Sequence, residues 1–465
     1  MRPPGLASRA SLHDQQRLKD DEFHKNGFGF GDASNQGTGG AYYGRHVAVS
    51  IPWPMQPLPS LLIENPMNLL YFHHFINHTA RVLVPHNCPA NPFGNILPQS
   101  ESNMNTRLTL VSANVFVVAL TNDDLLNLIL AYSAYHRAGV LRQQPPHMRI
   151  AMWTKNVFGN LRNTINSPKD TITDAHLATA IMLASLEIIS PNSFESSVTW
   201  QTHLSAAKEM IIQRGGWRTK DRVSYFLRVW FAYLDVVGCL SGNQYGRLLT
   251  YDELSHHGTA EGESDVDCLL GFTTRCIMIL AKVADLCKQC DKERIRGDQV
   301  LTTWQPSRQV VHAAHQLRDE LRAARPTTFR ECAYNKAVDV HAAGVGALEM
   351  VAVNDTFHWA GLIHLYRRVL GKHSQDEEVQ IAVREIVSAL DRIRIGGSAE
   401  NGMIFPIFTA GCEAIDPNDQ AKLFQRLMNV EANGLTQVHR ARVLMERVWK
   451  TGKPWESLVT GEFCG

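Results

Sequence analysis

The chain lacks an excess of charge of either sign, since 46 lysines and arginines stand against 45 aspartates and glutamates, a formal net charge of +1. No global field draws it to a polyanion, and any contact with nucleic acid has to be local. It lacks an uninterrupted apolar stretch approaching the roughly 18 residues of a membrane span, and residues 1 to 40 lack the apolar core of a secretory signal. Both absences point to a protein inside the cell with no membrane partner. Cysteine is sparse, odd in number and scattered, with nine residues from Cys88 to Cys464, which is unlike a secreted disulfide framework. Most of these cysteines read as small buried hydrophobes. Also missing are the G-x-S-x-G nucleophile elbow, the G-x-x-x-x-G-K-[ST] phosphate loop and any strand-glycine-helix unit for a nucleotide, so no catalytic class is indicated and no cofactor is expected.

What is present is enough apolar residue to build a core: 44% of 465 residues, with 20% charged, is the balance of a soluble globular protein. Residues 1–57 stand apart. They mix Arg17, Lys19, Asp20 and Glu22 with a glycine-rich run from Gly27 to Gly44 and with Pro52, Pro54 and Pro57. Such a segment buries too little apolar surface to offset its ordering entropy and reads as a disordered leader or linker. From 58 to 465 the period is helical. Thr171 and Asp174 suit a first turn, after which Leu177, Ile181, Ala184 and Ile188 share one face as far as Pro191. Leu125, Leu126, Ile129 and Leu130 follow the same steps, as do Leu227, Trp230, Phe231 and Leu234, and Val438, Ala441, Met445 and Val448 before Gly452 and Pro454. The expected fold is all-α: a multi-helix array of packed antiparallel helix pairs, each burying one stripe around an apolar interior.

Candidate chemistry is thin. Cys287 and Cys290 form a C-x-x-C on a predicted helix with Cys276, Asp285 and Asp291 near in sequence, but a zinc site needs four ligands and no second pair follows. Two partly buried helix cysteines are the better reading, and no metal site is assigned. His73-His74, His256-His257 and the pair His312 and His315 lack a third ligand at a metalloprotease spacing and read as satisfied or exposed. Asp123-Asp124 and Asp265-Val-Asp267 suit helix N-termini. The basic strings at Arg392 to Arg394 and Arg440 to Arg442 interleave with apolar positions and read as solvated helix faces. Tyr225, Phe226, Trp230, Phe231 and Tyr233 wrap more than one helix face, which implies deep burial.

Eight strings in a fixed order carry a resemblance: Asn91-Pro-Phe93, Leu125 to Arg137 (LLNLILAYSAYHR), Leu177 to Pro191 (LATAIMLASLEIISP), Trp200 to Leu204 running into Arg214-Gly-Gly216, Phe226 to Gly242 (FLRVWFAYLDVVGCLSG), Asp267 to Phe272 (DCLLGF), Leu362 to Leu370 (LIHLYRRVL) and Phe405 to Glu413 (FPIFTAGCE). From Leu61 to Leu458 the chain resembles the fungal-specific transcription factor domain, the regulatory region that follows binuclear zinc clusters in fungal activators. The resemblance implies a helical regulatory domain in the nucleus that controls genes transcribed by RNA polymerase II and is not an enzyme. Its implied partners are the transcription machinery or another regulator, with activity masked or released by a small-molecule effector or a partner. It marks Pro92, Phe93, Trp230, Asp235, Gly238, Ser241, His364, Tyr366, Arg367, Phe405, Pro406 and Gly411 as family positions with structural roles. DNA binding in that family rests on six cysteines within about 30 residues. No cysteine precedes Cys88. DNA is therefore expected to be reached only through a missing cluster or a partner, and a cluster-less protein that modulates a complete regulator is the alternative. A second departure is the segment 100–118, which separates Gln99 from Ala119 and reads either as a retained intron or as a surface-loop insertion.

Overall fold

Helices start where a short polar side chain precedes an apolar run. The computed structural model describes residues 58–86, 91–93, 119–166, 172–191, 198–217, 222–242, 246–255, 265–297, 299–301, 303–327, 329 and 340–465. The leader 1–57 and the segment 100–118 lie outside the described residues. Asn65 accepts the Met67 N–H at 3.0 Å and so caps α1 (Pro66–His74), which continues through a π-helical turn, Phe75–Thr79. Asn122 does the same for α2 (Asp123–Leu141), accepting from Leu125 N–H at 2.9 Å, so Asp123 and Asp124 occupy the first turn and the cap is their neighbour. Then come α3 (His147–Thr154), α4 (Val157–Ile165) and α5 (Asp174–Ile189). The cap of α5 is the pair Thr173 and His176, whose Nδ1 accepts the Thr173 N–H at 3.1 Å. Thr171, the cap expected from sequence, lies outside the described residues.

Next are α6 (Trp200–Gln213), α7 (Arg222–Leu240) and α8 (Thr274–Arg294), the last capped by Thr273, whose Oγ1 accepts from Cys276 N–H at 3.0 Å. Asp267, expected at a helix N-terminus, instead closes the turn before α8 by accepting from Leu269 N–H at 2.7 Å and Leu270 N–H at 3.2 Å. A two-residue antiparallel pair, β1 (Ile295–Arg296) and β2 (Gln299–Val300), with Ile295 opposite Val300, is the one sheet among the described residues. After it come α9 (Arg308–Ala324), α10 (Val340–His364) with a π-helical turn Leu365–Val369, α11 (Glu377–Leu390), α12 (Ile404–Glu413), α13 (Pro417–Glu431) and α14 (Thr436–Thr451). Gly452 ends α14 at φ +64°, a left-handed conformation that glycine adopts without strain. The fold is all-α.

Packing departs from one stripe per helix. α9 keeps the expected single stripe, burying Val310, Ala314, Leu317 and Leu321. α5 is buried on every face from Leu177 to Ile189, because α2, α6 and α7 pack around it. α7 from Val223 to Leu240 is long and apolar enough to cross a membrane by length and composition, which the count of uninterrupted apolar residues did not anticipate. It is 78% buried within the chain, as a core helix is. Within it Phe226, Trp230 and Phe231 are buried and Tyr233 is half-buried, but Tyr225 is exposed and donates to Asp267 Oδ2 at 2.5 Å.

α2 meets the turn between α13 and α14 at a glycine contact. A Cβ on Gly139, near the end of α2, would lie 2.2 Å from the carbonyl oxygen of Gly434, in the turn between α13 and α14. One turn earlier on α2, His136 uses Nε2 to donate to the Asn433 carbonyl at 2.8 Å, which leaves Nδ1 as the acceptor for Thr79 Oγ1 at 2.8 Å and His74 Nε2 at 3.1 Å. His73 and His74 are thus both buried, His74 inside a network. Burial pulls the His136 pKa down to about 4 against the pull of the Asn433 carbonyl, and burial, Arg81 and His73 pull His78 down to about 4.

Two outcomes follow from this junction. Gly139→Ala should lower the urea midpoint, at unchanged m-value, by an equivalent of about 2–4 kcal/mol, since backbone and not a flexible tip blocks the new methyl. Below pH 6.5 the unfolded chain takes up protons that the folded imidazoles refuse, so stability falls as the pH drops from 6.5 towards 4, by up to about 1.4 kcal/mol per pH unit for each such histidine. Urea titrations at several pH values, with His136→Gln flattening the slope, check this; a slope that the substitution leaves unchanged would contradict it.

Candidate functional site

On α8 the buried stripe Leu280, Ala284, Cys287 continues at helical spacing into Asp291 and Arg294, so a core face that begins apolar ends in charge. Arg294 Nη2 donates to Asp291 Oδ1 at 2.8 Å and to Glu456 Oε1 at 2.7 Å. Arg368, in the π-helical turn that closes α10, donates from Nη2 to the other Asp291 oxygen at 2.5 Å and from Nη1 to the Leu240 carbonyl, at the end of α7, at 2.9 Å. Glu456 lies in the 3-10 turn Trp455–Ser457 that follows α14. Two arginines and two carboxylates are thereby balanced where three helix ends meet the C-terminal segment. The interior is not purely apolar, as the sequence had suggested.

The environment keeps Arg368 and Glu456 charged. Burial opposes ionisation of Arg368, but Asp291, Cys287 and Glu456 hold its pKa above the ordinary value. Burial likewise opposes the Glu456 carboxylate, yet Arg294 and Arg368 hold it below the usual carboxylate range. His364 beside them is kept neutral by burial and by Arg368. Its ring lies parallel to Phe405 at 5.4 Å and edge-on to Trp455 at 6.0 Å, and Arg368 sits 5.4 Å from the Trp455 ring centre.

A cleft of about 1320 Å³ opens beside the network, lined by Trp200, Lys288, Asp291, Arg368, Arg440 and Glu456 together with the segment from Ser457 to Phe463. A smaller apolar hollow of about 110 Å³ lies among Phe93, Tyr132, Phe226, Trp230 and Leu234. The sequence led to an apolar interior, and the larger of these two spaces is rich in charge.

The positions that the resemblance had marked scatter without forming one constellation. Phe93 meets Phe226 and Trp230 edge-on at 4.9 and 5.0 Å, while Pro92 beside it is half-buried. Asp235 is buried and accepts from Leu248 and Leu249 N–H at 2.8 and 2.9 Å, with its pKa pushed up to about 6 by burial. A Cβ on Gly238 would lie 2.4 Å from the Trp200 ring, and one on Gly411 would lie 2.1 Å from Met445 Sδ. Ser241 Oγ accepts the Cys464 N–H at 3.3 Å. Tyr366 accepts from Arg322 at 3.3 Å, Arg367 pairs with Glu413 at 2.6 Å, and Phe405 and Pro406 are buried in the first turn of α12.

The cysteines of the C-x-x-C are fully, not partly, buried. Burial pushes Cys287 up to about 12 and Cys290 up to about 11, so neither is a ready thiolate. Among the described residues no group of three or more His, Cys, Asp or Glu is placed to hold a metal ion. His312 and His315 are exposed on α9, and His256-His257 lies outside the described residues. The basic strings find the chain's own acids: Arg392 meets Asp355 at 2.9 Å, Arg394 meets Glu349 at 2.8 Å and Arg442 meets Glu431 at 2.5 Å. The sequence reading missed the network itself. Its signal was the charged continuation of the α8 stripe, with Asp291 and Arg294 one helical turn apart.

Asp291→Asn should be the most damaging isosteric change in this region, costing about 3–5 kcal/mol because it leaves two buried guanidinium groups short of a carboxylate. Urea unfolding measures it, and a loss below about 1 kcal/mol would show that the network is not coupled as drawn.

No curated protein and no solved structure matches the chain. The family model described as the fungal specific transcription factor domain matches residues 70–459, from within α1 to the segment beyond α14, and so takes in the network and most of the lining of the cleft. On that match, the chain belongs to the fungal specific transcription factor domain family.

Proposed function

We propose that residues 58–465 are the regulatory domain of a fungal transcription regulator that works in the nucleus on genes transcribed by RNA polymerase II. The observation that carries this reading is the family match over 70–459. The family is one of transcription factor domains and not an enzyme class. Its partners in this reading are the transcription machinery or another regulator. DNA is reached through a zinc cluster or a partner and not through these helices, since Arg392, Arg394 and Arg442 are neutralised by carboxylates of the same chain. The family positions act in packing: Gly238 and Gly411 leave room for Trp200 and Met445, and Asp235 fixes the backbone after α7.

Regulation in this reading is a shift between two packings, and an effector has to bind them with different affinity to move the balance. The cleft supports it, being larger than most small-molecule sites, which span roughly 300–1,000 Å³. A fusion of the full chain to an unrelated DNA-binding module, tested on a reporter in a fungal host, should change transcription severalfold against the module alone. Output equal to that of the bare module, with the fusion present in the nucleus, would refute the regulatory role.

A further inference from the structure

The charges lining the cleft are unevenly satisfied. Asp291 is taken by Arg368 and Arg294, Glu456 by Arg294, and Glu462 by the N–H and hydroxyl of Thr460 at 2.5 and 2.9 Å. Glu187, buried on α5, is likewise engaged. Lys292 on α8 and Arg440 on α14 line the same space, and neither has a carboxylate partner among the described residues. Lys288 sits one turn before Lys292, an i, i+4 like-charge pair in which each cation disfavours the other. Burial lowers the Lys288 pKa, and repulsion from Lys292 and Arg368 adds to that despite Cys239 and Asp291. Lys288 and Lys292 therefore set two cations one turn apart on α8, and Arg440 adds a third to the lining from α14.

Apolar surface faces the same space. Ile188, Val198, Trp200, Val459 and Phe463 line it, and the Trp200 and Phe463 rings meet edge-on at 5.4 Å. A small inorganic anion would meet the cations and leave this surface wet, and a hydrocarbon would leave Lys292 and Arg440 without a counter-ion. Only a molecule with both parts matches the lining.

We propose that this cleft is a binding site for an organic anion with an apolar or aromatic body, its charged group held by Lys292 and Arg440 and its body laid against Trp200, Val459 and Phe463. This names the effector class of the regulatory reading and rests on that reading for its biological purpose, though not for the site. The charged group, a carboxylate, sulfonate or phosphate, relieves the repulsion between Lys288 and Lys292. The body displaces water from the wall that the segment after α14 provides, so occupancy stabilises that segment.

The test uses the purified full chain and three probes: 8-anilinonaphthalene-1-sulfonate, with charge and body; N-phenyl-1-naphthylamine, with the body alone; and inorganic phosphate, with the charge alone. Calorimetric or fluorescence titration should give saturable binding of the sulfonate, at least tenfold weaker binding of the neutral amine and no measurable binding of phosphate. In Lys292→Glu/Arg440→Glu the sulfonate should bind about tenfold more weakly or worse, with the amine shifted less than about twofold. Val459→Trp, which fills the apolar side, should weaken both aromatic probes. Cooperative thermal unfolding confirms that each variant is folded, and Lys292→Gln and Arg440→Gln carry the same test if the double reversal is not. No sulfonate binding by the wild type, equal binding of sulfonate and amine, or sulfonate binding unmoved by the charge variants or by Val459→Trp would each overturn the site. Since no transcriptional readout enters, that failure would leave the reporter result standing, and a silent reporter beside intact binding would remove the regulatory reading alone.

Discussion

The arrangement of the C-terminal half depends on one buried set of ion pairs, in which Arg294 and Arg368 share Asp291 and Arg294 continues to Glu456. Buried ion pairs are poor evidence of net stability, because desolvation consumes most of the Coulomb gain. Their effect is on specificity. Any alternative packing that separates α8 from the end of α10, or lifts Glu456 away, strands a charge in a medium that cannot solvate it. The Leu240 carbonyl, left open at the end of α7, accepts from Arg368 as well, so a fourth segment is tied to the same centre. Three helix ends and the segment after α14 are thus held together by charge, where apolar contact alone would tolerate sliding.

Close backbone approach does the corresponding work at the other junctions. Gly434 sits at φ +87° against His136 and Val140 of α2, and no side chain would fit at either Gly139 or Gly434. Trp200 and Met445 press into the spaces above Gly238 and Gly411, and Trp449 Nε1 donates to the Gly411 carbonyl at 2.7 Å. Glycines inside α7 and α12 carry a propensity cost of about 1 kcal/mol each, and tight packing of a large side chain offsets it. That exchange gives Gly238 and Gly411 a physical reason to be glycine.

Helical spacing made the fold class legible, and the apolar stripe of α14, with Gly452 as its stop, is found where the residues place it. What the spacing could not convey is how many neighbours a helix has. α5 reads as a one-sided amphipath from Leu177, Ile181, Ala184 and Ile188, yet its intervening Ala178, Met182 and Ser185 are equally buried, and small or apolar residues between stripe positions are the signature of a surrounded helix. The ion network was half legible. Asp291 and Arg294 stand where the α8 stripe calls for apolar residues, but their partners are 77 and 162 residues away in Arg368 and Glu456, and no local pattern pairs residues across such distances. The cleft was not legible at all, because its walls come from six helices and a terminal segment that share no sequence signal.

The segment after α14 has two roles that bear on each other. Glu456 neutralises Arg294 at the centre of the fold, and from Ser457 to Phe463 the same stretch walls the cleft before Cys464 is held by Ser241. Its anchors differ in kind: a buried charge pair at one end, and at the other the buried Phe463 and Cys464, with an edge-on ring contact with Trp200 and a hydrogen bond of 3.3 Å. The two anchors fix where the segment begins and ends, and the exposed Thr460 and Gly461 between them are the cheapest part of the wall to move. Anything that occupies the cleft touches that middle stretch directly and reaches the ion network through Asp291 and Arg368, which line the same space. Differential contact with a movable wall is the physical requirement for a site to alter surface elsewhere, and within this fold the wall and its hinge lie on a single short stretch of chain.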